Sequence, residues 1–167
     1  IMALLKILTF PDPRLRTVAE PIQSVDESIK KLADDMLETM YEGSGIGLAA
    51  TQVNEHKRIF VIDISEDKTN PMVFINPQIV EVIDPTKKSY SEGCLSIPGF
   101  YEEVERPSKV KASFINLDGQ KEYIELEDLM AVVVQHEIDH LDGKLMVDFI
   151  SSVKREMIRK KLSKKRS

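Results

Sequence analysis

A chain of 167 residues and 19.0 kDa fits one globular domain and leaves no room for two. With 42% hydrophobic and 31% charged residues, seven Gly and eight Pro, it is not collagen-like, low-complexity or disordered, and a core forms at this size without disulfides or a structural metal. The net charge of −5 is unevenly spread: residues 151–167 hold eight of the 23 basic residues and one of the 28 acidic ones, so this tail carries +7 and the rest −12.

Ile1 ahead of Met2 reads as an addition to the natural start, and the opening residues lack the charge, apolar run and small-residue site of a secretory signal. After Ser24 or Asp26 as a cap, Ile29, Leu32, Ala33, Met36 and Met40 keep the spacing of a one-faced helix ending near Gly43. The middle reads as β: 58–64, 72–75, 79–83 and 109–116 are short, rich in Val, Ile and Phe, and separated by Pro, Asn and Asp turns. Asp118-Gly119 predicts a two-residue hairpin turn, because Asp-Gly tolerates positive φ. A second helix is expected from Glu127 to Asp142, stopped by Gly143. Within it Leu129, Val133, His136 and His140 step by four, three and four, which puts both histidines on the apolar, inward face. The longest apolar run, Leu129 to Val134, has six residues against the roughly 20 that cross a bilayer, so no membrane span is expected. Two helices, several antiparallel strands and a helical tail make an α+β fold, with 1–150 as a single domain and 151–167 as a basic C-terminal helix. The acidic body argues against sequence-specific nucleic-acid binding. Lys154, Arg155, Arg159, Lys160, Lys161, Lys164, Lys165 and Arg166 offer either a surface for docking on phosphates or a merely solvated helix.

His136-Glu137-Ile138-Asp139-His140 is an HExxH sequence on a segment predicted helical, the context that gives the pattern meaning. Residues i and i+4 share a face, so two imidazoles can reach one ion while the Glu stands beside the water it holds. Two core histidines with ordinary hydrogen-bond partners are the alternative. A catalytic site needs a third protein ligand. Met146 stands where one class of HExxH enzymes has a third His, and the next downstream Glu, Glu156, lies in the basic tail. That leaves Cys94, the sole cysteine, whose thiolate suits a divalent transition metal and whose lack of a disulfide partner fits a reducing cytoplasm. Gly45-Ile46-Gly47-Leu48-Ala49-Ala50-Thr51-Gln52 superficially fits a dinucleotide-binding loop, but a helix precedes the glycines and a strand follows, the reverse of what that loop requires. The glycines fit better as places where backbone comes close to an extended ligand. Gln52 is then either an amide donor to an oxyanion or a surface residue.

GxGxAAxQ from Gly45 to Gln52, EGCLS from Glu92 to Ser96, and QHExDHxxG from Gln135 to Gly143, in this order, resemble the three signature motifs of the bacterial peptide deformylases. The resemblance implies antiparallel β-sheets packed around a central HExxH helix, and an enzyme that removes the formyl group from formylmethionine on nascent chains, releasing formate. It implies Cys94, His136 and His140 as ligands of one divalent ion, Fe(II) in the cell with Zn(II), Ni(II) or Co(II) possible in preparations. It makes Glu137 the general base, with the Gln52 amide and the Leu95 N–H as oxyanion donors. Substrate main chain would pair with Ile46 and Gly47. The methionine side chain would enter a pocket of Ile46, Tyr90, Glu92, Leu129, Val132 and Val133, and Arg106 would pair with Glu92 to orient the cysteine loop. The expected partners are formyl-Met N-termini and, through the basic tail, the ribosome, for a cytoplasmic monomer. Two rivals remain: a general HExxH metallopeptidase, and a non-enzymatic ribosome-associated protein with a structural metal. The latter needs four protein ligands, and the spare histidine, His56, lies in a polar stretch.

Overall fold

The computed structural model describes residues 3–166, and the side chains of Lys165 and Arg166, two of the tail cations, lie outside the described part together with Ile1, Met2 and Ser167. Eight main elements follow in order: α1 (Glu27–Glu42), β1 (Gly47–Ala49), β2 (Ile59–Ile62), β3 (Met72–Gly93), β4 (Tyr101–Ile115), β5 (Lys121–Glu127), α2 (Asp128–Leu141) and α3 (Ser152–Arg166), with short 3₁₀ turns at Pro13–Arg16, Ala50–Val53 and Met146–Phe149. The strands join in chain order, β1-β2-β3-β4-β5, every pair antiparallel, giving the expected α+β architecture. No helix among the described residues is long and apolar enough to cross a membrane.

The start of α1 and the end of α2 follow the signals read from the sequence. Asp26 caps α1, its carboxylate accepting from the Ile29 N–H at 3.1 Å. Gly143 follows α2 at φ +76°, and a Cβ there would fall 2.5 Å from the Arg16 carbonyl oxygen, so conformation and close approach both demand glycine. Strand β2 is buried on both faces because the two helices sandwich it. Ile59 and Val61 meet Ile29, Ala33, Met36 and Met40 of α1, while Phe60 and Ile62 meet Ala131, Val134 and Leu141 of α2. Phe60, Phe74 and Phe114 stack on the α2 side with centroids 4.8 and 4.3 Å apart. A third cluster joins Leu8, Phe10 and Leu15 to Ile97, Val104 and Leu145, and Ile158 and Leu162 of α3 are buried in it. The tail helix is therefore seated on the domain by one face and basic on the other.

Two strand expectations are corrected. Residues 72–75 and 79–83 belong to one 22-residue strand, and β4 starts at Tyr101 rather than near 109. Pro77 and Pro85, read as turn residues, sit at register shifts between Ile75 and Gln78 and between Asp84 and Lys87: proline lacks a ladder donor, and the strand bulges rather than ends. The outer part of this ribbon is exposed and polar, so it carries no apolar alternation to read. The turn after β4 is five residues, 116–120, since Ile115 pairs with Lys121. Only Gly119 within it has positive φ, and the Asn116 carbonyl of the side chain closes the loop by accepting from Asp118 and Gln120 N–H groups at 2.9 and 3.0 Å.

Candidate metal centre

Helix α2 lies across the sheet and carries His136, Glu137 and His140 into the interior, each under a tenth exposed. The loop after β3 brings Cys94 up to them. The two Nε2 atoms are 3.1 Å apart, Cys94 Sγ is 3.3 Å from His140 Nε2, and the three ligand atoms all lie within 4.8 Å of one another. Two imidazoles and a thiol aimed at one point make a donor set that suits a borderline divalent ion, and three ligands leave a position open.

The surroundings fix these ligands. Glu92 Oε1 lies 2.9 Å from His136 Nδ1, and since a carboxylate only accepts, Nδ1 carries a proton and Nε2 is the ring atom turned to the centre. Arg106 grips Glu92 through Nε and Nη2 at 2.5 and 3.1 Å, reaches Asp139 Oδ2 at 2.9 Å, and stacks on Phe149 with 5.0 Å to the ring centroid. Burial opposes the charge of Glu92, yet the bonds from His136 and Arg106 hold its carboxyl below the ordinary value. For His140, burial and then the charges of His136, Arg106 and Arg16 depress the ring well below 6.5, keeping it neutral as a ligand must be. Burial also works against a charged His136, but bonds to Cys94 and Glu92 outweigh it and raise that ring.

Glu137 stands apart from this network. Its Oε1 is buried with no hydrogen-bond partner among the described residues, and burial, countered first by His136, raises its carboxyl to about 7. Gly47 leaves room for the carboxylate: a Cβ there would come 2.5 Å from Glu137 Oε2 and force it to shift. The first glycine of the pair does similar work, a Cβ on Gly45 meeting Leu95 Cδ1 at 2.6 Å. Part of the close approach read from the glycines is thus to the protein's own side chains.

A cleft of about 510 Å³ opens over the centre, walled by Gly43–Gly47 on one side, by Glu92–Leu95 and Phe100 on the other, and floored by Leu129, Val132, Val133, His136 and Glu137. Gln52 is 1% exposed and far from a surface residue. Its Oε1 accepts from the Ala49 N–H at 2.9 Å, and its Nε2 donates to Ser96 Oγ at 3.0 Å and lies 3.5 Å from Cys94 Sγ. The Leu95 N–H has no acceptor among the described residues. Ile46 is half-exposed at the rim and Leu129 likewise at the mouth. Tyr90 is not among the residues that line the cleft; it precedes Glu92 by two residues, roughly 6.6 Å along β3, with its hydroxyl buried and unpartnered among the described residues. Sequence reasoning passed over two neighbours. Ser96, fully buried against Gln52, and Asp139, which pairs with Arg106, were both letters of quoted motifs that had been given no role.

An HExxH helix, a converging cysteine and a lone carboxylate beside them define a metal-dependent hydrolase. Residues 4–156 match the family model for polypeptide deformylase, and the chain belongs to that family. It is 61% identical to the peptide deformylase of Teredinibacter turnerae and 58% identical to that of Pseudomonas aeruginosa, in each case over 98% of this chain and 96% of the relative. Among solved structures, a peptide deformylase from Legionella pneumophila superposes with a TM-score of 0.92 at 46% identity, covering 98% of this chain and 96% of the other. The peptide deformylase of Ehrlichia chaffeensis in complex with actinonin gives 0.94 at 40% identity, with 98% of each chain covered. The reaction is removal of the formyl group from formylmethionine at the N-terminus of nascent polypeptides, with release of formate.

Proposed function

We propose that Cys94, His136 and His140 hold one divalent metal ion, Fe(II) in the cell, and that Glu137, Gln52 and Leu95 carry out the deformylation around it. The ion supplies Lewis acidity, making water a nucleophile near neutral pH and polarising the formyl carbonyl. Glu137 takes the proton the attacking water gives up and delivers it to the departing methionine amine. The Gln52 side-chain amide and the Leu95 N–H donate to the oxygen that gains charge, and losing one such donor typically costs roughly 2.7–4 kcal/mol of barrier. Removing Gln52's donor costs more than chemistry, because its carboxamide also ties Ala49 to Ser96. Substrate main chain pairs beside Ile46 and Gly47 at the edge strand β1, and the methionine side chain enters among Ile46, Leu129, Val132 and Val133 beside Glu92. Tyr90, two residues before Glu92 on β3, is the one residue of the expected pocket that does not line the cleft.

The observation that carries this reading is the unpartnered carboxylate of Glu137 next to three converging ligand atoms. The test is formate release from formyl-Met-Ala-Ser by anaerobically purified protein beside Glu137→Ala with its metal content measured. Turnover lost with metal retained is expected; turnover retained removes Glu137 as the base. Two imidazoles and a thiolate accept Fe(II), Zn(II), Ni(II) or Co(II), so Fe(II) rests on the family resemblance, and activity of the anaerobic preparation should decay in air and return with Ni(II) or Co(II).

Residues 1–150 form the catalytic domain in this reading, and 151–167 form the basic tail through which a monomer docks on the ribosome, where its substrate emerges in the cytoplasm. Support comes from the cationic outer face of α3 and from a free thiol suited to a reducing compartment.

A further inference from the structure

The carboxylate of Asp63, 3% exposed, lies outside the metal network and receives four hydrogen bonds. Tyr41 Oη donates to Oδ2 at 2.6 Å and the Asn70 N–H to the same oxygen at 3.2 Å, while the Ser65 N–H and Oγ donate to Oδ1 at 2.9 and 2.5 Å. Every partner is a donor, which an acceptor-only carboxylate satisfies and an amide does not. A buried charge is costly, and the fold of β2 alone does not call for one. What this one holds is informative. The Asp63 N–H donates to the Ile46 carbonyl at 2.9 Å, one step beyond the Gly47–Ile62 pair that begins β1. Tyr41 sits in the last turn of α1, and its own carbonyl accepts from the Ser44 N–H at 3.0 Å while Met40 O accepts from Gly45 at 2.9 Å. Ser44 is held at φ +58°, a conformation a non-glycine residue keeps only when its surroundings impose it. Asp63 therefore pins the Gly43–Gly47 wall of the cleft from both ends, at Tyr41 before it and at Ile46 within it.

We infer that Asp63, clamped by Tyr41, is a positioning residue that presets the Ile46–Gly47 edge for the main chain of the peptide substrate. The inference rests on the proposed pairing of substrate with that edge. Burial, with Asp63 as partner, raises the Tyr41 hydroxyl to about 12, so the clamp stays intact across the working pH range. Loosening it disturbs how an extended peptide is held and leaves the metal, Glu137 and the reacting formyl group as they were.

The experiment measures kcat and KM of metal-loaded wild type, Asp63→Asn and Tyr41→Phe with two substrates: formyl-Met-Ala-Ser, and formyl-Met amide, which lacks the two following residues. Asp63→Asn turns an amide NH₂ toward donors, and Tyr41→Phe removes a single hydroxyl and keeps the Ser65 and Asn70 bonds, so the second variant remains informative if the first does not fold. The tripeptide KM should rise about tenfold in Asp63→Asn, equivalent to about 1.4 kcal/mol, and about threefold in Tyr41→Phe, with kcat, metal content and the kinetics of formyl-Met amide unchanged. Equal losses on both substrates, or a tripeptide KM unmoved in both variants while wild type favours the tripeptide, overturns the clamp alone. A wild type that handles the two substrates alike overturns the strand pairing, and the clamp with it.

Discussion

The two ends of the β3–β4 ribbon are built on opposite principles. At the inner end Phe74, Ile75, Val110, Ala112 and Phe114 are buried against helices, and geometry follows from close packing of apolar surface. At the outer end the same strands are mostly polar, and what buries Glu92 and Arg106 is their bond to each other, to His136 and to Asp139. Burying an ion pair rarely gains stability over an apolar pair of the same volume, because desolvation consumes the Coulomb energy. Its value lies in direction: a guanidinium fork and a carboxylate fix a ring plane in a way that methyl groups cannot. The inner end holds the fold together, and the outer end aims the ligands.

The largest effect that tests this division is at Glu137, which belongs to neither packing nor the ion-pair network. Glu137→Gln should lower kcat by about 10² to 10⁴, the usual contribution of a positioned general base. It should leave the thermal midpoint unchanged or raised, since it removes a buried charge without a partner on Oε1. A marked fall in the midpoint would mean that the carboxylate is structural. Next in size is Phe74→Ala at the inner end. Losing a ring stacked between Phe60 and Phe114 should cost about 3–5 kcal/mol in denaturant unfolding, with activity per folded molecule retained. Activity falling faster than the folded fraction would break the separation of the two ends.

At the outer end Arg106→Ala strands the buried carboxylate of Glu92 and the partly buried one of Asp139 without their cation. Metal affinity should fall about 10- to 100-fold, as when an outer partner of a ligating histidine is lost. Competition with a chelator checks it, and unchanged affinity would show that the Glu92 bond to His136 orients the ring without help. Comparing Arg106→Ala with Phe74→Ala sharpens the contrast, because the first should move metal binding further than the fold and the second the reverse.

The same contrast governs what could be read in advance. The helices were legible to within a residue at each end because caps and apolar spacing are local signals: Asp26, Gly143 and the run of Ile29, Ala33, Met36 and Met40 need no partner to be recognised. The candidate metal ligands were legible because two of them sit a helical turn apart and the third is the sole cysteine. The outer ribbon was not. Residues 84–89 are exposed, and they are strand only through pairing with β4, an energy that resides in backbone hydrogen bonds and leaves no side-chain pattern. Pro77 and Pro85 then pointed the wrong way, since a bulge and a turn ask for the same residue. Arg106, 14 residues from Glu92 and 33 from Asp139, carries no local signal that joins it to either. The Asp63 clamp was invisible, because Tyr41, Ser65 and Asn70 become neighbours only once β2 has folded against α1.

The smallest effect concerns α3, where packing and charge meet in one helix. Deleting residues 151–167 is a poor test of ribosome docking, because it also strips Ile158 and Leu162 from the cluster that contains Ile97 and Val104, next to Cys94. Neutralising the exposed Lys160 and Lys161 leaves Ile158 and Leu162 in place and removes one further contact, Lys161 Nζ over the Phe100 ring at 6.0 Å. Lys160→Gln combined with Lys161→Gln should weaken co-sedimentation with ribosomes and make log K against log salt shallower by about 1.5, as expected for two lost phosphate contacts. Hydrolysis of formyl-Met-Ala-Ser should not change. If binding and its salt slope are both unaltered, the cations of α3 are solvated rather than docked, and the helix serves the domain only through its two buried side chains.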